Sequence, residues 1–207
     1  MIGTKIAGLL AVMAVVFTAY EKRDLMANIV GLGGEQSLDK VDKTFFQLES
    51  TDVDGNPFKF SSLSSYKAVL IFNSASLWGL TKVSYTQLTE IYNKYHSQGL
   101  EIIDVPSNDF LQEPKSDAVI KKWVHDTYGS TFPILTKQHV NGAGSTVPEL
   151  YRYLRLNSNC FDKITGKAKQ IEWNYAKFLV SKEGVTYYSP TVTPNSLIAK
   201  IEELLAA

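Results

Sequence analysis

Residues 68–73 read AVLIFN and residues 100–105 read LEIIDV, and these two largely apolar runs decide the fold. Short runs of this kind are typical of strands that are buried on both faces of a sheet. Between them, apolar and aromatic residues recur at helical spacing, and Gly99 stands where such a helix would end. These periodic positions are Tyr85, Leu88, Ile91, Tyr92 and Tyr95. The stretch therefore predicts a strand–helix–strand unit whose two strands pair in parallel.

The flanking sequence predicts further strands and helices around this unit. Turn signals, apolar runs and helical spacing give the following order. We expect a hairpin from Phe45–Leu48 and Phe58–Phe60, a helix capped by Ser116 or Asp117, a short strand at Phe132–Leu135, a helix from Pro148, a hairpin from Phe178–Val180 and Val185–Tyr188, and a helix near Pro194–Leu205. This order predicts an α/β fold in which helices cover both faces of a central mixed sheet.

The N-terminal stretch is the most apolar part of the chain. Ile6–Tyr20 carries no charge, and Lys5 precedes it. As a helix this run would be roughly 22 Å long, whereas the hydrocarbon core of a bilayer is about 30 Å thick. If the helix is counted from Ile2, with Lys5 reaching towards the headgroups, it is almost long enough to span the hydrocarbon core. We therefore predict a membrane anchor or targeting segment at 1–24, a glycine-containing linker at 25–43 and a folded domain at 44–207.

Two alternatives to an anchor remain open for this segment. A cleaved signal peptide would be cut best after Ala19, but this places the bulky Phe17 where a small residue is preferred. A buried core helix is the other alternative. No asparagine begins an Asn-x-Ser/Thr motif, which slightly disfavours the secretory route. We expect a membrane-anchored protein, with the mitochondrial inner membrane favoured and a secretory-pathway membrane left open.

Composition excludes several classes of function. Lys+Arg and Asp+Glu both total 21, so the formal net charge is zero and no basic surplus points to nucleic acid. His96, His125 and His139 are widely spaced and form no metal-ligand pattern. The single cysteine, Cys160, cannot form a disulfide within the chain. We expect no metal, no nucleotide or flavin cofactor and no nucleic-acid partner.

Three segments, in the same order, resemble the glutathione peroxidase family. Residues 73–81 (NSASLWGLT) are similar to the family pattern N-V-A-S-x-[C/U]-G-x-T, in which U is selenocysteine. Residues 105–114 (VPSNDFLQEP) are similar to F-P-C-N-Q-F-x-x-Q-E-P, and residues 173–180 (WNYAKFLV) to W-N-F-[TA]-K-F-L-[IV]. The resemblance covers about residues 45–205 and implies a thioredoxin-like fold.

The resemblance also implies a catalytic site and shows how this chain departs from it. Family members attack the O–O bond of a hydroperoxide with a thiolate or selenolate, which a glutamine, a tryptophan and an asparagine surround. The three surrounding residues match Gln112, Trp173 and Asn174, but Trp78 stands at the position of the nucleophile. An indole offers one N–H donor and no ionisable nucleophilic atom. The first chemical step cannot occur in the chain as it is written.

A second departure concerns the cysteine that re-forms a disulfide in two-cysteine members of the family. The matching helix contains His125 and no cysteine, and Ser107 and Asp109 replace the cysteine and glutamine of F-P-C-N-Q-F. Cys160 lies in a loop that matches no family motif. Loss of redox chemistry is the simplest interpretation of these changes.

Three hypotheses about function follow. In the leading one the chain is a catalytically inactive, membrane-anchored accessory subunit with protein partners in a membrane complex. In the alternative it is an active, membrane-tethered selenoperoxidase that reduces lipid or hydrogen hydroperoxides with glutathione or another thiol. Trp78 would then be a mistranslated selenocysteine, because UGA encodes selenocysteine and, in some genetic codes, tryptophan. In the third the domain binds a thiol peptide or lipid without chemistry, although the bulk of Trp78 disfavours this.

Overall fold

The computed structural model describes residues 34–207. Its strands are β1 (Glu35–Gln36), β2 (Glu49–Thr51), β3 (Pro57–Lys59), β4 (Ala68–Ser74), β5 (Leu100–Pro106), β6 (Phe161–Asp162), β7 (Lys167–Lys169), β8 (Lys177–Ser181) and β9 (Gly184–Tyr188). Its α-helices are α1 (Thr81–Tyr95), α2 (Asp117–Tyr128), α3 (Glu149–Leu156) and α4 (Ile198–Ala206). Five of the short strands form two small sheets, β1-β7-β6 and β2-β3, which are separate from the central sheet.

The central sheet has the strand order β5-β4-β8-β9. β4 pairs in parallel with β5, in the register Ala68 to Leu100, and antiparallel with β8, in the register Ala68 to Ser181. β8 and β9 form the predicted hairpin. The sheet is therefore mixed, and the strand–helix–strand unit expected from the two apolar runs forms one side of it, with β5 at the edge and β4 inside.

Helices cover both faces of this sheet, as the sequence predicts. α1, α2 and α4 pack on one face, which we call the α1 face, where Leu70, Phe72 and Ile102 contribute to the core. α3 packs on the other, the α3 face, with Ile71 and Ile103. Alternate residues of β4 and β5 therefore enter opposite cores, which explains why both strands are apolar at nearly every position.

Two predicted elements differ from the structure. The first hairpin is formed by β2 and β3, while Phe45–Gln47 is a 3-10 turn rather than a strand. Phe45 and Phe60 enter the core from 3-10 turns next to the hairpin, so their burial does not reflect strand alternation. Residues 132–135 do not form a strand, because only isolated bridges join Ile134 to Asp104 and Leu135 to Asp52.

The described half of the predicted linker contacts the domain. β1 pairs antiparallel with β7, and the Gln36 side chain accepts a hydrogen bond from Arg155 at 2.8 Å. Leu38 and Val41 pack against the core on the α3 face. From residue 35 onwards the chain is thus held against the domain that the sequence predicts at 44–207.

The predicted anchor at 1–24 and the first part of the linker, 25–33, lie outside the described residues. In the span 34–207, no helix is both long enough and apolar enough to cross a membrane.

Candidate functional site

Trp78 lies in the turn that joins β4 to α1, where the resemblance places the nucleophile. The carbonyl oxygen of Ala75 fixes this turn, because it accepts hydrogen bonds from the Thr81 hydroxyl at 2.7 Å and the Tyr175 hydroxyl at 3.1 Å. The Leu77 amide donates to the carbonyl oxygen of Gln112 at 3.0 Å. The turn is therefore tied to both of the other motif segments.

The buried Glu113 carboxylate holds the same turn from a second side. It accepts hydrogen bonds from the Ser76 amide at 2.7 Å and the Ser76 hydroxyl at 3.0 Å. The Ser76 hydroxyl also accepts a hydrogen bond from the ammonium of Lys115. Because charged hydrogen bonds are the strong ones, this cluster fixes the position of the turn relative to the 105–114 loop.

Gln112 and Asn174 meet directly. The Asn174 side-chain amide donates to the Gln112 side-chain oxygen at 2.6 Å, although 62 positions separate the two residues. Asn174 is fully buried, and its own side-chain oxygen has no hydrogen-bond partner among the described residues. The next residue, Tyr175, has a left-handed backbone with φ of 63°. A buried, half-satisfied amide beside such a backbone is typical of a functional site.

The backbone around Trp173 and Tyr175 is pinned to the end of β4. The Asn73 side chain donates to the carbonyl oxygen of Trp173 at 3.1 Å, and the Tyr175 amide donates to the carbonyl oxygen of Asn73 at 2.6 Å. The Trp173 ring packs against Phe110, with ring centroids 5.0 Å apart. These bonds hold Trp173 and Asn174 at the end of β4, where Asn174 contacts Gln112.

The half-buried Trp78 ring takes a different direction from the Trp173 ring. It stacks on Tyr175, with centroids 5.1 Å apart and planes 21° apart, and it packs against the core of the α1 face. Trp173 packs against the core of the α3 face. The fourth predicted site residue therefore adjoins the site through its backbone, while its side chain extends the aromatic core.

Sequence reasoning missed Asp104, which lies on β5 next to this core. Asp104 is fully buried and accepts a hydrogen bond from the Tyr85 hydroxyl at 2.6 Å. Its Oδ1 atom has no hydrogen-bond partner among the described residues. Burial raises the pKa of Asp104 to about 7, and the nearby Glu113 adds to the shift. The signal that could have found it is an acidic residue inside the apolar run LEIIDV.

Lys177 is a second buried charge that the sequence reasoning did not identify. Its ammonium donates to the carbonyl oxygens of Tyr175 at 2.5 Å and Val192 at 2.7 Å. Burial lowers the pKa of Lys177 to about 8. These bonds hold the left-handed turn at Tyr175 and so help to position Asn174.

Asp109, one of the departures from the family pattern, is hydrogen-bonded to a neighbouring loop. Its carboxylate accepts hydrogen bonds from the amides of Val140 at 2.7 Å and Asn141 at 2.9 Å, and it contacts the His139 ring at 2.6 Å. A glutamine would not offer a carboxylate to these three groups. The substitution therefore carries its own stabilising contacts.

The remaining candidates lie away from these residues. Cys160 is buried, and desolvation raises the pKa of its thiol to about 11, so it is not an activated nucleophile. His125 lines a groove of about 810 Å³ beside α2, which Phe132 and Ile134 also line. None of the four site residues lines that groove. Over residues 34–207, no group of three or more His, Cys, Asp or Glu side chains could hold a metal ion.

Comparisons with known proteins agree with this architecture. The family model described as glutathione peroxidase matches residues 45–155. The glutathione peroxidase-like peroxiredoxin HYR1 of Saccharomyces cerevisiae is 42% identical over 164 residues, which cover 78% of this chain and 96% of that protein. The chloroplastic phospholipid hydroperoxide glutathione peroxidase 1 of Arabidopsis thaliana is 38% identical over 169 residues, which cover 80% of this chain and 68% of that protein.

A solved structure gives the same result. The crystal structure of T. cruzi GPX1 superimposes with a TM-score of 0.60 at 28% sequence identity, covering 80% of this chain and 98% of that one. The matched sequence, the thioredoxin-like fold and the shared site segments lead to one conclusion. The chain belongs to the glutathione peroxidase family.

Proposed function

We propose that this chain is a glutathione peroxidase-like protein in which Trp78 fills the place of the nucleophile, so that it does not reduce hydroperoxides. The stacking of the Trp78 ring on the buried Tyr175 carries the proposal. A side chain that packs into the core at this position gains about 1–2 kcal/mol from partial burial. The tryptophan therefore has a stabilising role there and supplies no ionisable atom for chemistry.

The rest of the site has the character of a retained scaffold. Gln112 and Asn174 bond to each other at 2.6 Å, and the Glu113 cluster fixes the turn that carries Trp78. These contacts need no sulfur or selenium atom to persist. A fold that keeps them after losing the nucleophile remains a stable module for binding another protein.

The role proposed for this module is that of a membrane-anchored accessory subunit of a membrane complex, with the mitochondrial inner membrane as the favoured location. The uncharged run Ile6–Tyr20 supports the anchor, and it lies outside the described residues. Mild detergent extraction followed by sedimentation tests this role. We expect the protein in the membrane fraction and in an assembly larger than the chain; a monomer in the soluble fraction contradicts the role.

A turnover assay tests the loss of activity. We expect the purified chain to consume neither hydrogen peroxide nor a phospholipid hydroperoxide when glutathione or thioredoxin is supplied. The variant Trp78→Cys restores a thiol at the position that matches the family's nucleophile and should gain turnover. Trp123→Cys, which puts a thiol at a half-buried tryptophan on α2, is the matched control and should gain none. Turnover by natively purified protein contradicts the proposal.

The second candidate is a selenoperoxidase with selenocysteine at position 78. The direct contact between Gln112 and Asn174 favours it, because these are the residues that surround the nucleophile in the family. The matched relatives also carry the names of peroxidases and peroxiredoxins. Glutathione or another thiol is a partner only under this candidate. Selenium in the natively purified protein, together with thiol-dependent turnover, would establish it.

A further inference from the structure

An unbroken series of oxidisable rings runs from Trp78 through the core to the surface of α2. Trp78 stacks on Tyr175 with centroids 5.1 Å apart, and Tyr175 meets the edge of Tyr85 at 5.8 Å. Tyr85 then stacks on Tyr128 at 4.8 Å and contacts the edge of Trp123 at 5.7 Å. Every neighbouring pair in this series is in contact.

Burial along the series follows a consistent pattern. Trp78 at one end and both Trp123 and Tyr128 at the other are half-buried, while Tyr175 and Tyr85 between them are almost completely buried. Two accessible ends are therefore joined by rings that solvent does not reach. Packing alone requires aromatic bulk in the middle, which phenylalanine would also supply, as Phe72 and Phe132 do nearby.

One ring in the series has a base at its hydroxyl. The Tyr85 hydroxyl donates to the Asp104 carboxylate at 2.6 Å, whereas the Tyr175 hydroxyl donates to a backbone carbonyl, which cannot take up a proton. A phenol that loses an electron becomes a strong acid and must release its proton to remain oxidised. Tyr85 is thus the ring at which an oxidising equivalent would settle.

We infer that Trp78, Tyr175, Tyr85 and the Trp123–Tyr128 pair form a path for single electrons, with Asp104 as the proton acceptor. The oxidant assigned to the outer end, at the half-buried Trp78, is an organic peroxyl radical, the one-electron counterpart of a hydroperoxide. The activity goes beyond the proposed function, and it requires only that residue 78 is tryptophan.

The electrons and protons balance as follows. The peroxyl radical takes one electron from the Trp78 indole and one proton from solvent, and it leaves as a hydroperoxide. An electron passes from Tyr85 through Tyr175 to restore Trp78. Tyr85 gives its proton to the Asp104 carboxylate and becomes a neutral tyrosyl radical. A small one-electron reductant at the surface, such as ascorbate, returns an electron through Tyr128, and Asp104 returns the proton.

Pulse radiolysis of the full chain tests this path. The azide radical stands in for the peroxyl radical, because it removes single electrons from indoles in preference to phenols. Trp123→Phe and Trp173→Phe are introduced together, so that Trp78 is the only tryptophan and oxidation begins there. We expect the tryptophanyl absorption to decay into tyrosyl absorption at a rate that does not depend on protein concentration.

Three further variants, made in this background, decide the outcome. Tyr85→Phe removes the acceptor ring and Asp104→Asn removes only the base, so each should abolish the fast tyrosyl signal. Tyr151→Phe is the matched control, because Tyr151 is equally buried, has no hydrogen-bond partner for its hydroxyl among the described residues and lies on the α3 face. Equal conversion in Tyr85→Phe and Tyr151→Phe, or no conversion in the background chain, overturns the inference and leaves the rings as core packing. Circular dichroism checks that each variant is folded.

Discussion

Arg155 on the α3 face and Asp104 on the α1 face are both buried ionisable side chains, and their hydrogen bonds are satisfied to different degrees. On the α3 face, the guanidinium of Arg155 donates to the carbonyl oxygens of Lys169 at 3.1 Å and Val140 at 3.2 Å, and to Gln36. On the α1 face, Asp104 has one oxygen bonded to Tyr85, while the other has no partner among the described residues.

This difference distinguishes a region that stabilises the fold from one that lowers its stability. A buried charge with its hydrogen bonds filled holds elements together, as Arg155 does for α3, β1 and β7. A buried carboxylate with an unfilled acceptor destabilises the fold, and such costs concentrate at functional sites. The unfilled acceptor of Asp104 lies on the α1 face, against which Trp78 also packs.

The largest effect is expected on the α3 face. Arg155→Met removes the donor and leaves buried carbonyl oxygens without partners, so the free energy of unfolding should fall by about 3 kcal/mol or more. Urea unfolding followed by circular dichroism measures this loss. Arg152→Met is the control on the same helix, because Arg152 is only half-buried and bonds to Val147 and Asp39. If Arg155→Met loses no more free energy of unfolding than Arg152→Met, the claim that Arg155 stabilises the α3 face is wrong.

The next effect is the pH dependence caused by Asp104. Its pKa is about 7 in the folded chain but about 3.9 in an unfolded one. Between these values the folded state binds more protons than the unfolded state, so stability falls as pH rises, by up to roughly 1.4 kcal/mol per pH unit. Well above pH 7, where Asp104 is deprotonated in both states, this contribution no longer changes.

Asp104→Asn isolates the contribution of this one group. The asparagine keeps the acceptor for Tyr85 but has no charge. The decline in the free energy of unfolding between pH 5 and pH 7 should therefore be smaller, by up to roughly 1.4 kcal/mol per pH unit. Urea midpoints at several pH values in both proteins measure it. Parallel pH profiles for the two proteins would show that Asp104 does not titrate in this range.

A smaller effect is expected at Trp78. Trp78→Ala removes a half-buried ring from Tyr175 and should cost about 2 kcal/mol, less than the 3–5 kcal/mol typical of a fully buried tryptophan. Trp78→Phe keeps most of the stacking and should cost less than Trp78→Ala. Thermal unfolding of the two variants measures the difference. A neutral or stabilising Trp78→Ala would mean that the ring contributes no packing energy.

The smallest effect is expected at Cys160, back on the α3 face. Its pKa is raised to about 11 by burial, so the thiolate is scarce at neutral pH, and the folded chain should resist alkylation by iodoacetamide. Cys160→Ala should cost only about 1 kcal/mol, because a small apolar side chain is lost. The unfolded chain is the control and should react fully. Rapid alkylation of the folded chain would contradict the burial of this side chain.

The parts of the fold that could be predicted are those with a strong local pattern. β4, β5, α1 and the hairpin of β8 and β9 follow from apolar runs and helical spacing, since their residues face a core. β1 and β2 could not be predicted, because they are short and polar, and their pairing depends on a distant partner in one case and a turn in the other.

The site could be predicted only through the resemblance. Gln112 and Asn174 are 62 positions apart, and no local pattern indicates that their amides meet. The stacking of Trp78 on Tyr175 depends on a rotamer and on the left-handed backbone at Tyr175, neither of which can be read from residue types. Asp104 had a visible signal, a carboxylate in an apolar strand, but its hydrogen bond to Tyr85 needed the structure.

The most direct test of the account is the mass of one peptide from natively purified protein. Trypsin should release Ala68–Lys82, which contains position 78. We expect the mass of the tryptophan-containing peptide, which would establish that position 78 holds the outer ring of the electron path and no nucleophile. A lower mass that matches selenocysteine, with the isotope pattern of selenium, would contradict it and would make the chain an active selenoperoxidase.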